Sequence, residues 1–122
     1  MAAEETVSAD ALAALAREAG FDLCGFARAE PIPPQALLEW VEAGFAAAME
    51  WVAARLAARL DVTRLLPGAK TVVALACNYW RDDRAALVAR SARGRDYHAT
   101  LRDRLRTLRR SFRARWPGAH DY

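Results

Sequence analysis

The segment 89–98 carries the side chains of this sequence that are best suited to chemistry. Within ten residues it holds three arginines followed by Asp96, Tyr97 and His98, and His98 is one of only two histidines in the chain. A carboxylate, a phenol and an imidazole in succession can hydrogen-bond a ligand. The alternatives are that Asp96 caps the helix that follows, that Tyr97 packs on the core edge of that helix, and that His98 is a surface side chain. The sequence leaves both interpretations open.

A second segment, residues 59–70, leads directly into an apolar run at 71–77. That run is rich in β-branched residues and predicts the central strand of the fold. Arg59, at the start of the segment, offers a fork of guanidinium donors that suits amide and phosphate acceptors. The alternative for Arg59 is a surface ion pair with Asp61 or a neighbouring acid.

The elements that must position these residues follow from caps, breakers and periodicity. We predict a helix between the cap Ser8 and the stop Gly20, and further helices at about 34–43, 46–58 and 96–115, with a helical turn at 85–89. Strands are predicted at 21–27 and 71–77. We expect Trp40 and Trp51 to pack into helix cores. The pattern predicts an α/β (α+β) fold with a small sheet flanked by helices, a sheet that two strands leave incomplete.

The charge of the chain is divided unevenly. Residues 1–80 carry six bases and ten acids, whereas residues 81–122 carry twelve arginines and five acids. The second part is therefore expected to face an anionic partner, with nucleic acid the leading candidate. Cys24 and Cys77 have no metal-ligand spacing and suit a reducing cytoplasm as free thiols. No apolar run reaches the length of a membrane span, and the acidic start does not resemble a secretory signal.

Two motifs together make the chain resemble the amino-terminal part of epoxyqueuosine reductases. The first consists of Arg59, Leu65, Leu66, Pro67, Ala69, Lys70, Thr71 and Val72. The second consists of Ala89, Arg90, Ala92, Gly94, Asp96, Tyr97, His98 and Leu101. Ser91 departs from the second motif, where the family commonly has tyrosine.

The resemblance implies a function. Such enzymes reduce epoxyqueuosine to queuosine in tRNA with cobalamin and iron–sulfur clusters. Residues 1–122 would be a single, truncated amino-terminal domain that forms part of the cobalamin pocket. The implied cofactor-binding residues are Arg59, Ala89, Asp96, Tyr97 and His98, with Ala89 contributing backbone and a lack of bulk.

The resemblance implies limits as well. We assign no catalytic residue and no metal ligand, and Asp121 is not given the family's catalytic aspartate role. Two cysteines cannot hold a four-cysteine iron–sulfur cluster, so the chain alone is expected to be inactive. An incomplete sheet also predicts an exposed edge and possible self-association of the fragment.

Two other functions remain open at this point. The chain could be a non-catalytic RNA-binding module that uses the arginine-rich last helix, and tRNA is the partner expected for that helix. It could instead be a corrinoid-binding or trafficking domain. Measurements of cobalamin binding and of salt-dependent RNA binding distinguish these functions.

Overall fold

The computed structural model describes residues 6–82 and 87–122. These residues form five α-helices, a two-stranded sheet and two short 3-10 turns. The helices are α1 (Ala9–Glu18), α2 (Gln35–Glu42), α3 (Glu50–Ala54), α4 (Leu56–Leu60) and α5 (Tyr97–Arg115). The strands are β1 (Leu23–Arg28) and β2 (Thr71–Ala76), and the 3-10 turns are Val62–Arg64 and Arg90–Ala92. The predicted fold class, a small α/β arrangement, is confirmed.

The two strands pair in antiparallel orientation. The Asp22 amide donates to the Ala76 carbonyl at 2.9 Å, and the Ala29 amide donates to the Lys70 carbonyl at 3.0 Å. The pairing therefore runs in opposite directions along the two strands. The side chain of Leu23 is 70% exposed, so one apolar position of β1 faces solvent.

The described residues fall into two compact units, residues 6–26 with 73–121 and residues 27–72. In the first unit, α1 packs on α5. The core contains Leu12, Ala16, Phe21, Leu108 and Trp116, all less than a tenth exposed. The hydrophobic side chains of α1 and α5 recur at helical spacing, so burial of these two stripes holds the unit together.

The core of this first unit extends to the end of β2. Cys77 follows the strand directly, and both cysteines pack against the core cluster as free thiols. Arg104 of α5 donates from Nη1 to the Cys77 sulfur at 3.0 Å. The Asn78 amide in turn donates to an Asp22 carboxylate oxygen at 2.7 Å. These contacts fix the segment that leaves β2.

The second unit is built from short elements. The helix predicted at 46–58 is two helices, because Arg55 leaves the helical region with φ −116° and separates α3 from α4. Before them Ala47 adopts φ 46°, a left-handed conformation that a continuing helix excludes. The buried side chains of this unit are small, namely Ala29, Ala46 and Val52.

Three sequence predictions need correction. Trp40 is 36% exposed and Trp51 is 58% exposed, so neither packs into a core; the described part of the second unit buries only small side chains and assembles no core large enough for an indole. Tyr97 is 51% exposed because it is the first residue of α5 and stacks on His98 rather than on the core. The predicted turn at 85–89 begins outside the described residues.

Among the described residues, no helix combines the length and apolar character that crossing a membrane would require.

Candidate functional site

Asp96 begins the site by capping α5. It adopts φ −50° and ψ 120°, and its Oδ1 accepts a hydrogen bond from the His98 amide at 3.0 Å. The same oxygen lies 2.9 Å from Nδ1 of the His98 ring. The side-chain hydrogen bond to His98, then the backbone one, lower the pKa of Asp96. One carboxylate therefore acts as helix cap and imidazole partner together.

The Asp96 carboxylate selects the orientation of the His98 ring. Because the carboxylate is an acceptor, Nδ1 of a neutral ring carries the proton and Nε2 keeps its lone pair. The His98 side chain is 64% exposed. The available nitrogen is therefore accessible to a ligand.

Tyr97 adds a second ring to this surface. The Tyr97 and His98 ring centroids lie 4.0 Å apart with an interplanar angle of 26°. Stacking holds the imidazole against the phenol while the carboxylate holds its edge. Asp96, Tyr97 and His98 thus form one cluster at the start of α5, which we call the α5 entry cluster.

The loop before the α5 entry cluster is tied down by arginines. Arg95 donates from Nη2 to the carboxylate of Asp103 at 2.6 Å, and Asp103 lies nearly two turns into α5. Arg90 donates from Nε to the Arg81 carbonyl at 2.9 Å. Gly94 adopts φ 94°, a conformation that glycine reaches without steric cost. These contacts hold the chain as it enters the helix.

Ala89 lies at the start of this loop. Its carbonyl accepts from the Ala92 amide at 2.9 Å, which closes the 3-10 turn Arg90–Ala92. Its side chain is exposed. The predicted contribution of Ala89, backbone and small size, is compatible with this position.

Arg59 lies in the second unit and is described within it. Its guanidinium carbon lies 4.8 Å from the ring centroid of Trp51, a cation–π distance. The Asp61 carboxylate instead accepts from the Thr63 hydroxyl at 2.6 Å and amide at 3.0 Å, and the hydroxyl bond is the main cause of its lowered pKa. Within the described residues Arg59 makes no ion pair with Asp61, so its N–H donors are available to a ligand.

Sequence reasoning missed a second carboxylate-centred contact, at the far end of α5. Asp121 accepts from Arg109 Nε at 2.6 Å and from Arg113 Nε at 2.9 Å. The i, i+4 spacing of the two arginines was visible in the sequence. Their partner follows the turn after α5, and nothing in the sequence indicated that the chain would return to the helix.

A metal centre has no candidate in the described part of the chain, where no group of three or more histidine, cysteine or acidic side chains is assembled. The α5 entry cluster can instead hydrogen-bond and stack.

Comparisons with known proteins converge on one family. A family model described as Epoxyqueuosine reductase QueG, DUF1730, matches residues 59–122, slightly more than half of the chain. The match contains Arg59 and the whole α5 entry cluster. No solved structure matches the chain.

Curated relatives with the name epoxyqueuosine reductase are similar over most of the chain. The protein from Leadbetterella byssophila is 33% identical over 99 residues, 76% of this chain and 33% of the relative. The protein from Xanthomonas campestris pv. campestris is 35% identical over 117 residues, 86% of this chain and 33% of the relative. The protein from Gloeobacter violaceus is 35% identical over 111 residues, 84% of this chain and 34% of the relative. The chain spans about a third of the length of these relatives.

Proposed function

The chain belongs to the epoxyqueuosine reductase family, and from this premise we propose that it supplies part of the cobalamin pocket of such a reductase. The complete activity would be reduction of epoxyqueuosine to queuosine in tRNA. The contribution of these 122 residues would be cofactor contact, since their two cysteines are fewer than the four ligands of an iron–sulfur cluster.

The observation that carries the proposal is the α5 entry cluster. Asp96 holds His98 through two contacts to one oxygen, at 2.9 and 3.0 Å, and Tyr97 stacks on the same ring. A solvent-exposed histidine would normally sample several rotamers. Here its ring is held in place before any ligand binds, as preorganised sites require.

Each of the two units, taken by itself, carries groups that fit a corrinoid. Cobalamin carries peripheral amides and a phosphate, which are acceptors for guanidinium and phenol donors. Arg59, with its guanidinium over Trp51 and no partner at Asp61, can supply such donors. Ala89 offers backbone groups without side-chain bulk, and His98 offers an imidazole nitrogen with a free lone pair.

When bound, cobalamin would supply the reactive metal for removal of the epoxide oxygen. The residues of this chain would hold and orient it. The pKa of Asp96 is lowered, chiefly by its side-chain hydrogen bond with His98, so the carboxylate would stay available to orient the ring. The acid that protonates the leaving oxygen is not assigned to any residue here.

The proposed substrate is a modified base within tRNA. The tRNA itself is an anionic polymer, and the proposed compartment is the cytoplasm. The excess of arginine in residues 81–122 supports such a partner. The two alternatives, a purely RNA-binding module and a corrinoid-trafficking domain, gain nothing from the comparisons, since the matched relatives are named as reductases.

The test is titration of the 122-residue chain with cob(II)alamin and hydroxocobalamin, followed by the corrinoid absorption bands and calorimetry. We expect saturable binding that His98→Ala and Arg59→Ala each weaken about tenfold, the effect of one charge-assisted or ligand-directed hydrogen bond.

Two matched controls use the same substitutions elsewhere. His120→Ala removes the other, exposed histidine, and Arg55→Ala removes an exposed arginine four residues before Arg59. Neither should change the dissociation constant by more than about twofold, within the range of ordinary surface substitutions. Absence of corrinoid binding by a folded chain would contradict the proposal.

A further inference from the structure

Four arginines form one face of α5. Arg106, Arg109, Arg110 and Arg113 line a shallow, open groove. Their spacing of three, four and seven residues places them on one side of the helix, over a length of about 10 Å. We call this surface the arginine groove.

Carboxylates offset only part of this charge. Arg106 contacts Asp103 at 3.4 Å, but Asp103 is held more closely by Arg95 at 2.6 Å. Asp121 contacts both Arg109 and Arg113. Among the described residues Arg110 has no carboxylate within 4 Å. The groove therefore carries an excess of positive charge.

Asp121 contacts two of the arginines that line the groove, in the manner of an anionic ligand. Its Oδ2 accepts from Arg109 at 2.6 Å and its Oδ1 from Arg113 at 2.9 Å. A phosphate group would present two oxygens to the same guanidiniums. Burial alone would raise the pKa of Asp121, but the hydrogen bonds from Arg113 and Arg109 outweigh it and lower the pKa. The carboxylate is thus held in its charged form by these two arginines.

We propose that the arginine groove binds the phosphodiester backbone of RNA, and that Asp121 is an internal competitor that RNA must displace from Arg109 and Arg113. The proposal rests on the proposed function only for the choice of RNA as the polyanion. Asp121 would then set the affinity of the groove and disfavour isolated anions, which engage fewer arginines than a polymer does.

The surroundings favour a nucleic acid over a lipid surface. A membrane-binding helix inserts large apolar side chains beside its basic ones. Near the groove, the α5 side chains Leu108 and Phe112 belong to the core cluster with α1, and Leu105, 47% exposed, is a single apolar side chain beside four arginines.

The experiment measures binding of a tRNA transcript to the 122-residue chain without cobalamin, by fluorescence anisotropy at several KCl concentrations. Arg110→Ala should weaken binding about five-fold at low salt and reduce the slope of log affinity against log salt by about one. Asp121→Asn should strengthen binding about three-fold or more, because it frees two guanidiniums from a competing charge while keeping the shape of the side chain.

The matched control is Arg17→Ala, which removes the same charge from an exposed position on α1. It should change affinity by less than about twofold, since it contributes only to the long-range field. Equal losses for Arg17→Ala and Arg110→Ala would overturn the groove as a site. Unchanged or weaker binding by Asp121→Asn would overturn the competitor role.

One further outcome bears on the identity of the ligand. Binding to vesicles containing phosphatidylserine with no binding to tRNA would overturn RNA as the ligand. Circular dichroism identifies any variant that fails to fold, and Arg110→Ala removes none of the hydrogen bonds described above, so it tests the groove even if Asp121→Asn unfolds. Because cobalamin is absent, failure of corrinoid binding and failure of this proposal are separate results.

Discussion

The two ends of α5 each centre on one aspartate, yet the two carboxylates are held by different kinds of partner. Asp96 contacts the amide and ring of His98, two residues away. Asp121 contacts the guanidiniums of Arg109 and Arg113, twelve and eight residues away. The first end presents an oriented imidazole to solvent. The second end holds two guanidinium groups, to which we propose that an external anion binds.

The difference between the two ends is what the two proposed ligands would require of one helix. Local contacts at the start of α5 fix a ring in one orientation and leave its far nitrogen free. A returning segment at the end of α5 neutralises part of an arginine surface. The first arrangement is suited to a cofactor that needs precise placement, and the second to a polyanion whose binding depends on charge.

The largest expected effect comes from weakening the packing of α5 on the core, because this packing supports both ends of the helix. Leu108 is 7% exposed in the core, whereas Leu105 is 47% exposed on the same helix. Leu108→Ala should lower the free energy of unfolding by about 2–5 kcal/mol, and Leu105→Ala by less than about 1 kcal/mol. Chemical denaturation measures both. Equal losses would mean that α5 is not held by this core.

The next largest effect is on stability, and it differs between the glycine that precedes α5 and the glycine that follows it. Gly94 before α5 adopts φ 94°, whereas Gly118 after it does not adopt a positive φ. Gly94→Ala should therefore lower the free energy of unfolding by about 1–2 kcal/mol. Gly118→Ala should have little effect, since a methyl group there meets no other atom within 4 Å. If the two variants melt alike, the loop before α5 is not the constrained end.

These residues also show what the sequence could predict. The helix was predicted at 96–115 and is observed at Tyr97–Arg115, because its cap, periodicity and proline stop are all local signals. The Asp96 cap is likewise a two-residue contact. Asp121 was not predicted to bind arginine, since this contact depends on the direction in which the chain leaves Trp116, which is 2% exposed in the core.

Predictions that depended on tertiary packing were less successful. Trp51 was expected in a core, but it is 58% exposed and lies under Arg59. The sequence gives the size of an indole but not the space available to it. The break between α3 and α4 was also missed, because alanine-rich sequence favours a continuous helix and only the backbone at Arg55 shows otherwise.

A smaller effect concerns pH. The pKa values of both Asp96 and Asp121 are lowered in the folded chain, so each contributes stability above its unfolded value of about 4. That stability is lost as the pH falls through the folded pKa. Asp96→Asn and Asp121→Asn should each flatten the acid limb of stability against pH. Carboxyl NMR titration of the unmodified chain should show both groups titrating below the ordinary aspartate pKa.

Substitution of the hydrogen-bond donors distinguishes the two carboxylates in the same titration. Arg109→Ala or Arg113→Ala should raise the pKa of Asp121 and leave the pKa of Asp96 unchanged. His98→Ala should raise the pKa of Asp96 and leave the pKa of Asp121 unchanged. A shift of both carboxyls by any one of these variants would mean that the two ends are coupled rather than independent.

The smallest effect is confined to the His98 ring. Nitrogen NMR of the neutral imidazole should show predominantly the Nδ1–H tautomer, since Oδ1 of Asp96 lies 2.9 Å from that nitrogen. Asp96→Asn should reduce this preference, while Asp103→Asn, about two turns further along the chain, should not. A ring that already favours the Nε2–H tautomer would remove the basis for an oriented imidazole.

The most direct test of the account titrates two ligands against two variants. Cob(II)alamin and a tRNA transcript are each added to the unmodified chain, to His98→Ala and to Arg110→Ala. The account predicts that His98→Ala loses corrinoid affinity and keeps RNA affinity, and that Arg110→Ala does the opposite. Loss of both ligands in either folded variant, or of neither ligand in both variants, would contradict the assignment of a cofactor contact to one end of α5 and an RNA contact to the other.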